Sequence, residues 1–238
     1  MVVAIIPAAG AGKRLGLGKN KAFALLDKVP LIVHCLAMLA RTRLLQRAIV
    51  VLAPAEVEPG RELLNSYQEQ YFPDLPYSVV AGGRERQDSV ANALDTITET
   101  EGYVAVHDGA RPFAGGQVFA RTLRAAQKYG AAIAAVPVKN TIKVINSEGL
   151  VVATPARDTL QAVQTPQIFT IGLLKRAYAY LKEHPTAVTD DASVVELLGH
   201  PVAVAQGRYE NIKITTPEDL LLAENLLRQE REAAKKDV

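Results

Sequence analysis

The sequence predicts an α/β fold, a mostly parallel sheet flanked by helices, and three observations carry that prediction. Short β-branched apolar runs alternate with longer segments of helical periodicity. The first run opens directly into a glycine-rich turn, the place where such sheets set their ligand crevice. The length of 238 residues, set against about 150 per domain, fits one large α/β domain (1–238) with an insertion.

The elements follow in order. Apolar strands are expected at Val2–Ile6, Ala48–Leu52, Tyr77–Val80, Tyr103–His107 and Ala131–Val136. Helices fill the gaps: one beginning at Pro30 (PLIVHCLAMLART), then Ala55–Tyr71, Glu85–Thr96, and Gly116–Tyr129, stopped by Gly130. Helices between strands on this rhythm cover both faces of a parallel sheet. The rhythm breaks at Val138–Asp158 (VKNTIKVINSEGLVVATPARD), where two alternating Thr/Val/Ile runs flank Asn146-Ser147-Glu148-Gly149 as in a hairpin. This is a protruding β-arm, and its apolar positions call for packing on the main body or a second subunit. Helices resume at Ile171–Glu183 and Asp190–Leu198, with strands at Val202–Ala205 and Asn211–Ile214. Thr216 as cap and Pro217 at the first helical position open a last amphipathic helix.

Composition narrows the function classes. Hydrophobic residues make up 49% and charged residues 22%, enough for a core and against wholesale disorder. A net charge of +2 does not mark a general nucleic-acid or membrane-surface binder. With no Trp and 5% aromatics there is little to build a base-stacking platform on. The single cysteine, Cys35, excludes an internal disulfide and a cysteine metal cluster, as suits a reducing cytoplasm. Val2–Ile6 is too short for a signal core or a membrane span.

Chemistry concentrates at the ends of the expected strands. The turn Pro7-Ala8-Ala9-Gly10-Ala11-Gly12-Lys13-Arg14-Leu15-Gly16 follows the first strand, and Ala8 to Leu26 holds four basic residues (Lys13, Arg14, Lys19, Lys21) and no acid. Exposed backbone N–H groups and converging cations suit a polyphosphate. The dinucleotide pattern fails at Leu15, and the Walker pattern fails because Arg14 and Asn20 leave no hydroxyl for magnesium. Ala81-Gly82-Gly83-Arg84-Glu85-Arg86-Gln87-Asp88-Ser89-Val90 ends the third strand in paired glycines. There Arg86 and Ser89 either read a nucleobase edge, or stay in solvent and cap or pack, respectively. His107-Asp108-Gly109-Ala110-Arg111-Pro112 ends the fourth strand. Asp108 has two readings, a partner for sugar hydroxyls or magnesium, and a salt bridge to Arg111. Thr165-Pro166-Gln167 reads first as a plain turn.

Together these segments resemble the 2-C-methyl-D-erythritol 4-phosphate cytidylyltransferases of the non-mevalonate isoprenoid pathway, from Val3 to about Ala223. The resemblance rests on seven segments in order: PAAGAGKRLG with Asn20-Lys21, AGGRERQDSV, HDGARP, the arm bearing Asn140-Thr141, TPQIF, Thr189-Asp190-Asp191 and NIKITTPEDL. It implies a Rossmann-like nucleotidyltransferase in which the sugar-alcohol phosphate attacks the α-phosphorus of CTP and releases pyrophosphate. It also implies Mg2+ bound mainly through the CTP phosphates, with no dedicated protein metal site. By the same resemblance Arg14 and Lys21 stabilise the transition state, and Ala8, Ala9, Gly10, Gly83, Ser89 and Asp108 hold cytosine and ribose. Arg111, Thr165, Thr189 and Lys213 hold the acceptor phosphate, with Thr141 and Arg157 reaching from the partner's arm in a homodimer. On the residues alone, Lys213 reads equally as a solvated strand lysine and Arg157 as a hinge of the arm.

Two positions depart from the family pattern. Arg84 follows the paired glycines where acidic or polar residues are common, and Asn20 stands before Lys21 where proline is common. Two rivals stay open: a ribitol 5-phosphate cytidylyltransferase, sharing the nucleotide half, and a non-catalytic nucleotide-binding protein on the same fold.

Overall fold

The computed structural model describes residues 1–10 and 20–236. Its strands are β1 (Val2–Pro7), β2 (Leu25–Leu26), β3 (Val29–Pro30), β4 (Arg47–Leu52), β5 (Tyr77–Ala81), β6 (Tyr103–Val106), β7 (Ala131–Pro137), β8 (Val144–Ile145), β9 (Val151–Ala153), β10 (Gln161–Thr170) and β11 (Ala203–Gln206). Its α-helices are α1 (Leu31–Thr42), α2 (Val57–Tyr71), α3 (Arg86–Asp95), α4 (Gly115–Tyr129), α5 (Ile171–Glu183), α6 (Asp191–Glu196) and α7 (Pro217–Lys236).

The main sheet has seven strands in the order β11-β7-β10-β6-β1-β4-β5, and β10 alone runs antiparallel to its neighbours. Alternation along β1 divides the core in two. Val2, Ala4 and Ile6 join Ile32, Leu36, Leu39 and Phe119 on the face covered by α1, α2 and α4. Val3 and Ile5 join Val90, Leu174 and Val195 on the face covered by α3, α5 and α6. Burial on both faces explains why β1 reads as a continuous apolar run. A third, smaller cluster ties Leu31 and Phe113 to Ile214 and Ala223 of α7.

The expected strands and helices are present to within a residue or two, with three corrections. Thr165-Pro166-Gln167 is not a turn: it lies inside β10, with a cis Thr165–Pro166 bond and a register shift between Val163 and Gln167. Pairing with β6 on one side and β7 on the other overrides the local turn chemistry. Asn211–Ile214 is not a strand. The segment is held instead by isolated bonds, Arg111 Nη1 to the Asn211 carbonyl (2.7 Å) and Ile214 N–H to the Ala110 carbonyl (2.9 Å). Pro30 precedes α1 as its N-cap residue rather than occupying its first turn, because β3 pairs with β2 through Pro30.

The arm forms as expected from its turn residues. β8 and β9 pair antiparallel, and the Asn146 side-chain oxygen accepts from the N–H groups of Glu148 (3.1 Å) and Leu150 (2.9 Å). Gly149 takes φ +81°, in the left-handed region that glycine enters without steric cost. Ile145, Leu150, Val151 and Val152 are each 58–60% exposed. Among the described residues no helix is long and apolar enough to cross a membrane.

Candidate active site

The carboxyl ends of β1, β5 and β6 converge on a cleft of about 200 Å³ lined by Ala8, Ala9, Gly10, Lys21, Gly83, Arg86, Ser89, Asp108 and Lys213, among others. Each wall is fixed by local structure. On the β1 side, Ala8 N–H donates to the Val51 carbonyl (2.8 Å) and its own carbonyl accepts from Asn20 Nδ2 (2.6 Å). Asn20 is buried, and the same amide nitrogen donates to Glu56 (2.6 Å) while its oxygen caps Ala22 N–H (3.0 Å). The residue that departs from the family pattern therefore pins the short turn carrying Lys21 to the end of β1.

On the β5 side, a Cβ on Gly82 would stand 2.7 Å from Ser89 Oγ, and one on Gly83 would stand 2.2 Å from Asp88 Cβ. The paired glycines let the turn fold directly onto the start of α3. Ser89 Oγ accepts from Gly83 N–H (3.2 Å) and donates to the Glu85 carbonyl (3.1 Å), and Glu85 and Asp88 close a reciprocal cap at the helix start. The packing role expected of Ser89 and its place on the cleft wall coexist.

On the β6 side, Asp108 is the electrostatic centre. Its Oδ2 meets Lys213 Nζ at 2.9 Å and Arg111 Nε at 3.2 Å, and its Oδ1 faces Arg86 Nη2 at 3.8 Å. Burial works to raise the Asp108 pKa, but Lys213, Arg86 and Arg111 outweigh it and hold the carboxyl well below the usual carboxylate range. Asp108 is ionised at any working pH. The two readings of the Asp108–Arg111 pair are both realised, since the salt bridge exists and the carboxylate still borders the cleft. Next to it, burial lowers the pKa of His107 to about 4. Its ring lies 2.9 Å from the Arg111 carbonyl and 3.1 Å from Thr165 Oγ1, so both ring nitrogens of this strand-end histidine are satisfied.

Eight residues predicted for the site line the cleft: Ala8, Ala9, Gly10, Lys21, Gly83, Ser89, Asp108 and Lys213. Arg111, Thr165 and Thr189 are not among the lining residues. Arg111 spends its guanidinium on Asp108 and the Asn211 carbonyl. Buried Thr165 receives the Asp108 N–H at its hydroxyl (3.1 Å). Exposed Thr189 has its N–H on Ser193 Oγ (3.2 Å). Thr141 and Arg157 belong to the arm, where Arg157 Nη1 donates to the Lys139 carbonyl (3.2 Å) and closes the neck. Arg14 lies outside the described residues. Arg84 and Arg86, which sequence reasoning weighed but did not place in the site, both line the cleft, and Arg86 there is ion-paired rather than solvated. The signal was its position on the first turn after the paired glycines. A larger hollow of about 720 Å³ between α3 and α5 contains none of the predicted site residues.

Comparison with known proteins gives one consistent result. The family model for 2-C-methyl-D-erythritol 4-phosphate cytidylyltransferase matches residues 2–229. A protein of that name from Bacillus thuringiensis (strain Al Hakam) is 48% identical over 227 residues, 95% of this chain and 98% of that protein. One from Alkaliphilus metalliredigens (strain QYMF) is 43% identical over 231 residues, 97% of this chain and 95% of that protein. Among solved structures, 4-diphosphocytidyl-2C-methyl-D-erythritol synthase from Anaerococcus prevotii DSM 20548 aligns with TM-score 0.82 at 31% identity, covering 96% of this chain and 98% of that one. The cytidylyltransferase from Thermus thermophilus aligns with TM-score 0.76 at 35% identity, covering 95% of this chain and 98% of that one.

Proposed function

The chain belongs to the 2-C-methyl-D-erythritol 4-phosphate cytidylyltransferase family, and we propose on that basis how the residues of its cleft perform the reaction. The phosphate of 2-C-methyl-D-erythritol 4-phosphate attacks the α-phosphorus of CTP, giving 4-diphosphocytidyl-2-C-methyl-D-erythritol and pyrophosphate for isoprenoid precursor biosynthesis. The attacking phosphate monoester is already anionic near pH 7, so no protein nucleophile is required. The work reduces to in-line positioning and to neutralising charge as it builds on phosphorus and the departing pyrophosphate. The observation that supports this most directly is the convergence, on one cleft, of residues from four of the family segments: Ala8–Gly10 with Lys21, Gly83 with Ser89, Asp108, and Lys213.

In this reading residues 1–238 form one nucleotidyltransferase domain with an arm at 138–158. The small residues Ala8, Ala9, Gly10 and Gly83 admit the nucleotide to close backbone approach, with Ser89 and Asp108 at base and ribose. Arg14 and Lys21 supply the transition-state charge. Lys213, Arg111, Thr165 and Thr189 serve the acceptor, and Arg111 and Thr165 also brace Asp108 from outside the cleft lining. Asp108 and Glu85 are the carboxylates lining the cleft among the described residues, a donor set that suits Mg2+ carried by the nucleotide phosphates rather than caged by protein. When bound, that ion neutralises and orients the phosphate oxygens. The exposed apolar arm supports a homodimer in which Thr141 and Arg157 reach the partner's cleft. The single buried cysteine suits a cytoplasmic home.

The test is pyrophosphate release from CTP and Mg2+, with 2-C-methyl-D-erythritol 4-phosphate or ribitol 5-phosphate as acceptor. A strong preference for the first is expected. Preference for ribitol 5-phosphate overturns the acceptor assignment, and CTP binding without turnover on either overturns the catalytic one.

A further inference from the structure

Arg86 stands between two carboxylates, and the closer one is not in the cleft. Its Nη2 is 2.7 Å from Asp191 Oδ2 and 3.8 Å from Asp108 Oδ1. Asp191 is fully buried at the start of α6. Its second oxygen, Oδ1, accepts the Tyr178 hydroxyl of α5 at 2.7 Å. Its N–H donates to Gln167 Oε1 (3.1 Å), and Gln167 Nε2 is in turn held by Asp190 Oδ2 (2.7 Å). The carboxylate therefore has little freedom to turn. Three helices, α3, α6 and α5, meet in the line Arg86–Asp191–Tyr178.

The two carboxylates compete for one guanidinium. Attraction grows as distance and local dielectric fall, so the shorter contact to the fully buried Asp191 wins. Without it, the one remaining ion-pair partner of Arg86 among the described residues is Asp108 Oδ1. Closing over that oxygen would leave Asp108 with cations on both oxygens, since Lys213 and Arg111 already occupy Oδ2. A sugar hydroxyl donating to Asp108 would then meet a guanidinium in its place.

We propose that Asp191, held by Tyr178, is a positioning residue that draws Arg86 away from Asp108 and so keeps the Asp108 carboxylate accessible to the nucleotide. The inference rests on reading the cleft as the CTP site. Neither Asp191 nor Tyr178 lines that cleft, and both act through Arg86.

The experiment measures CTP dissociation constants by calorimetry, without acceptor, alongside kcat, both KM values and Tm. The proteins are the wild type, Y178F, D191N, R86Q and R86Q/D191N. Y178F is expected to keep its fold and weaken CTP binding about threefold, with KM for the acceptor within twofold. D191N is expected to weaken CTP binding about tenfold. R86Q/D191N is expected to bind CTP no worse than R86Q alone, because the loss in D191N comes from where Arg86 goes. Unchanged CTP affinity in folded D191N, or additive losses in the double variant, overturns the proposal. If D191N does not fold, Y178F decides, and wild-type CTP affinity in Y178F overturns it. A wild type that binds CTP but never turns over defeats the catalytic reading and leaves this test intact. A wild type that does not bind CTP defeats the reading of the cleft itself.

Discussion

Asp108 gathers Lys213, Arg111 and Arg86 around one carboxylate, so the end of β6 carries more positive than negative charge although the whole chain is nearly neutral. That local excess is what a triphosphate meets. Arg14 is proposed, with Lys21, to supply transition-state charge, and in that reading its removal costs most as pyrophosphate departs. Arg14→Ala is expected to lower kcat about a hundredfold or more, with CTP KM changed far less and Tm unchanged. Steady-state kinetics with thermal unfolding checks both, and near-normal kcat refutes the role. Gly83 is a steric counterpart. A methyl group there would stand 2.2 Å from Asp88 Cβ, so the start of α3 must shift. Gly83→Ala is expected to cost about 1–3 kcal/mol of stability and to raise KM for CTP severalfold, since Ser89 and Arg86 ride on the same helix. Unfolding in urea together with CTP titration reads both effects, and an unshifted variant shows that the turn has room to spare.

Elements built from local signals were legible in the sequence. The continuous apolar run of β1, the paired glycines before α3 and the Asn146–Gly149 turn of the arm each declare themselves within a few residues. β10 did not, because its strand character comes from β6 and β7 on either side, neither adjacent in sequence, while Thr165-Pro166-Gln167 carries turn chemistry. Asn211–Ile214 failed the other way: it alternates as a strand does, but no strand pairs with it among the described residues, and single bonds from Arg111 and Ala110 fix it. The cleft was legible where residues sit at strand ends, as Gly83, Ser89 and Asp108 do. It was not legible where a role depends on a distant partner, as for Arg86 with Asp191, 105 residues away. The arm tests the same distinction between local form and distant contact. Its hairpin is specified locally, whereas a surface that would cover its exposed Ile145, Leu150, Val151 and Val152 is not. Val151→Asp with Leu150→Asp is expected to leave the monomer folded while shifting it from dimer to monomer. Activity should fall at least tenfold if Thr141 and Arg157 serve the partner's cleft. Light scattering and turnover at matched concentration check this. A wild-type monomer contradicts the dimer, and a fully active monomeric variant shows that the arm contributes nothing to catalysis.

At the scale of the whole molecule, stability and the site meet at His107. The residue is buried where the end of β6 meets β10 and α4. Its ring is 5.2 Å from that of Phe119, and its nitrogens contact the Arg111 carbonyl and Thr165 Oγ1. Thr165 Oγ1 also receives the N–H of Asp108, so a change in the histidine reaches the cleft carboxylate through one hydroxyl. Burial lowers the folded pKa of His107 from 6.5 to about 4. The sign follows directly: between those values the unfolded chain binds a proton that the native state refuses. Its stability contribution is complete above about pH 6.5 and is lost as pH falls toward 4, at about 1.4 kcal/mol per pH unit or roughly 3 kcal/mol in all. His34, whose pKa burial also lowers, acts in the same direction. Asp108 acts elsewhere on the scale. Its folded pKa is depressed, so its contribution persists until pH falls below the ordinary carboxylate range. The upper part of the span from pH 6.5 to 4 therefore belongs to the histidines, and in its lower part Glu99, Glu210 and Glu218, whose pKa values their hydrogen bonds lower, add to the slope. Urea unfolding across that span is expected to show stability falling by at least one proton's slope, with CTP affinity falling over the lower part as protonated His107 loosens Thr165 and Asp108. His107→Asn should be less stable at pH 7 and lose the His107 share of the slope. A slope identical to wild type in that variant would show that the acid sensitivity lies elsewhere.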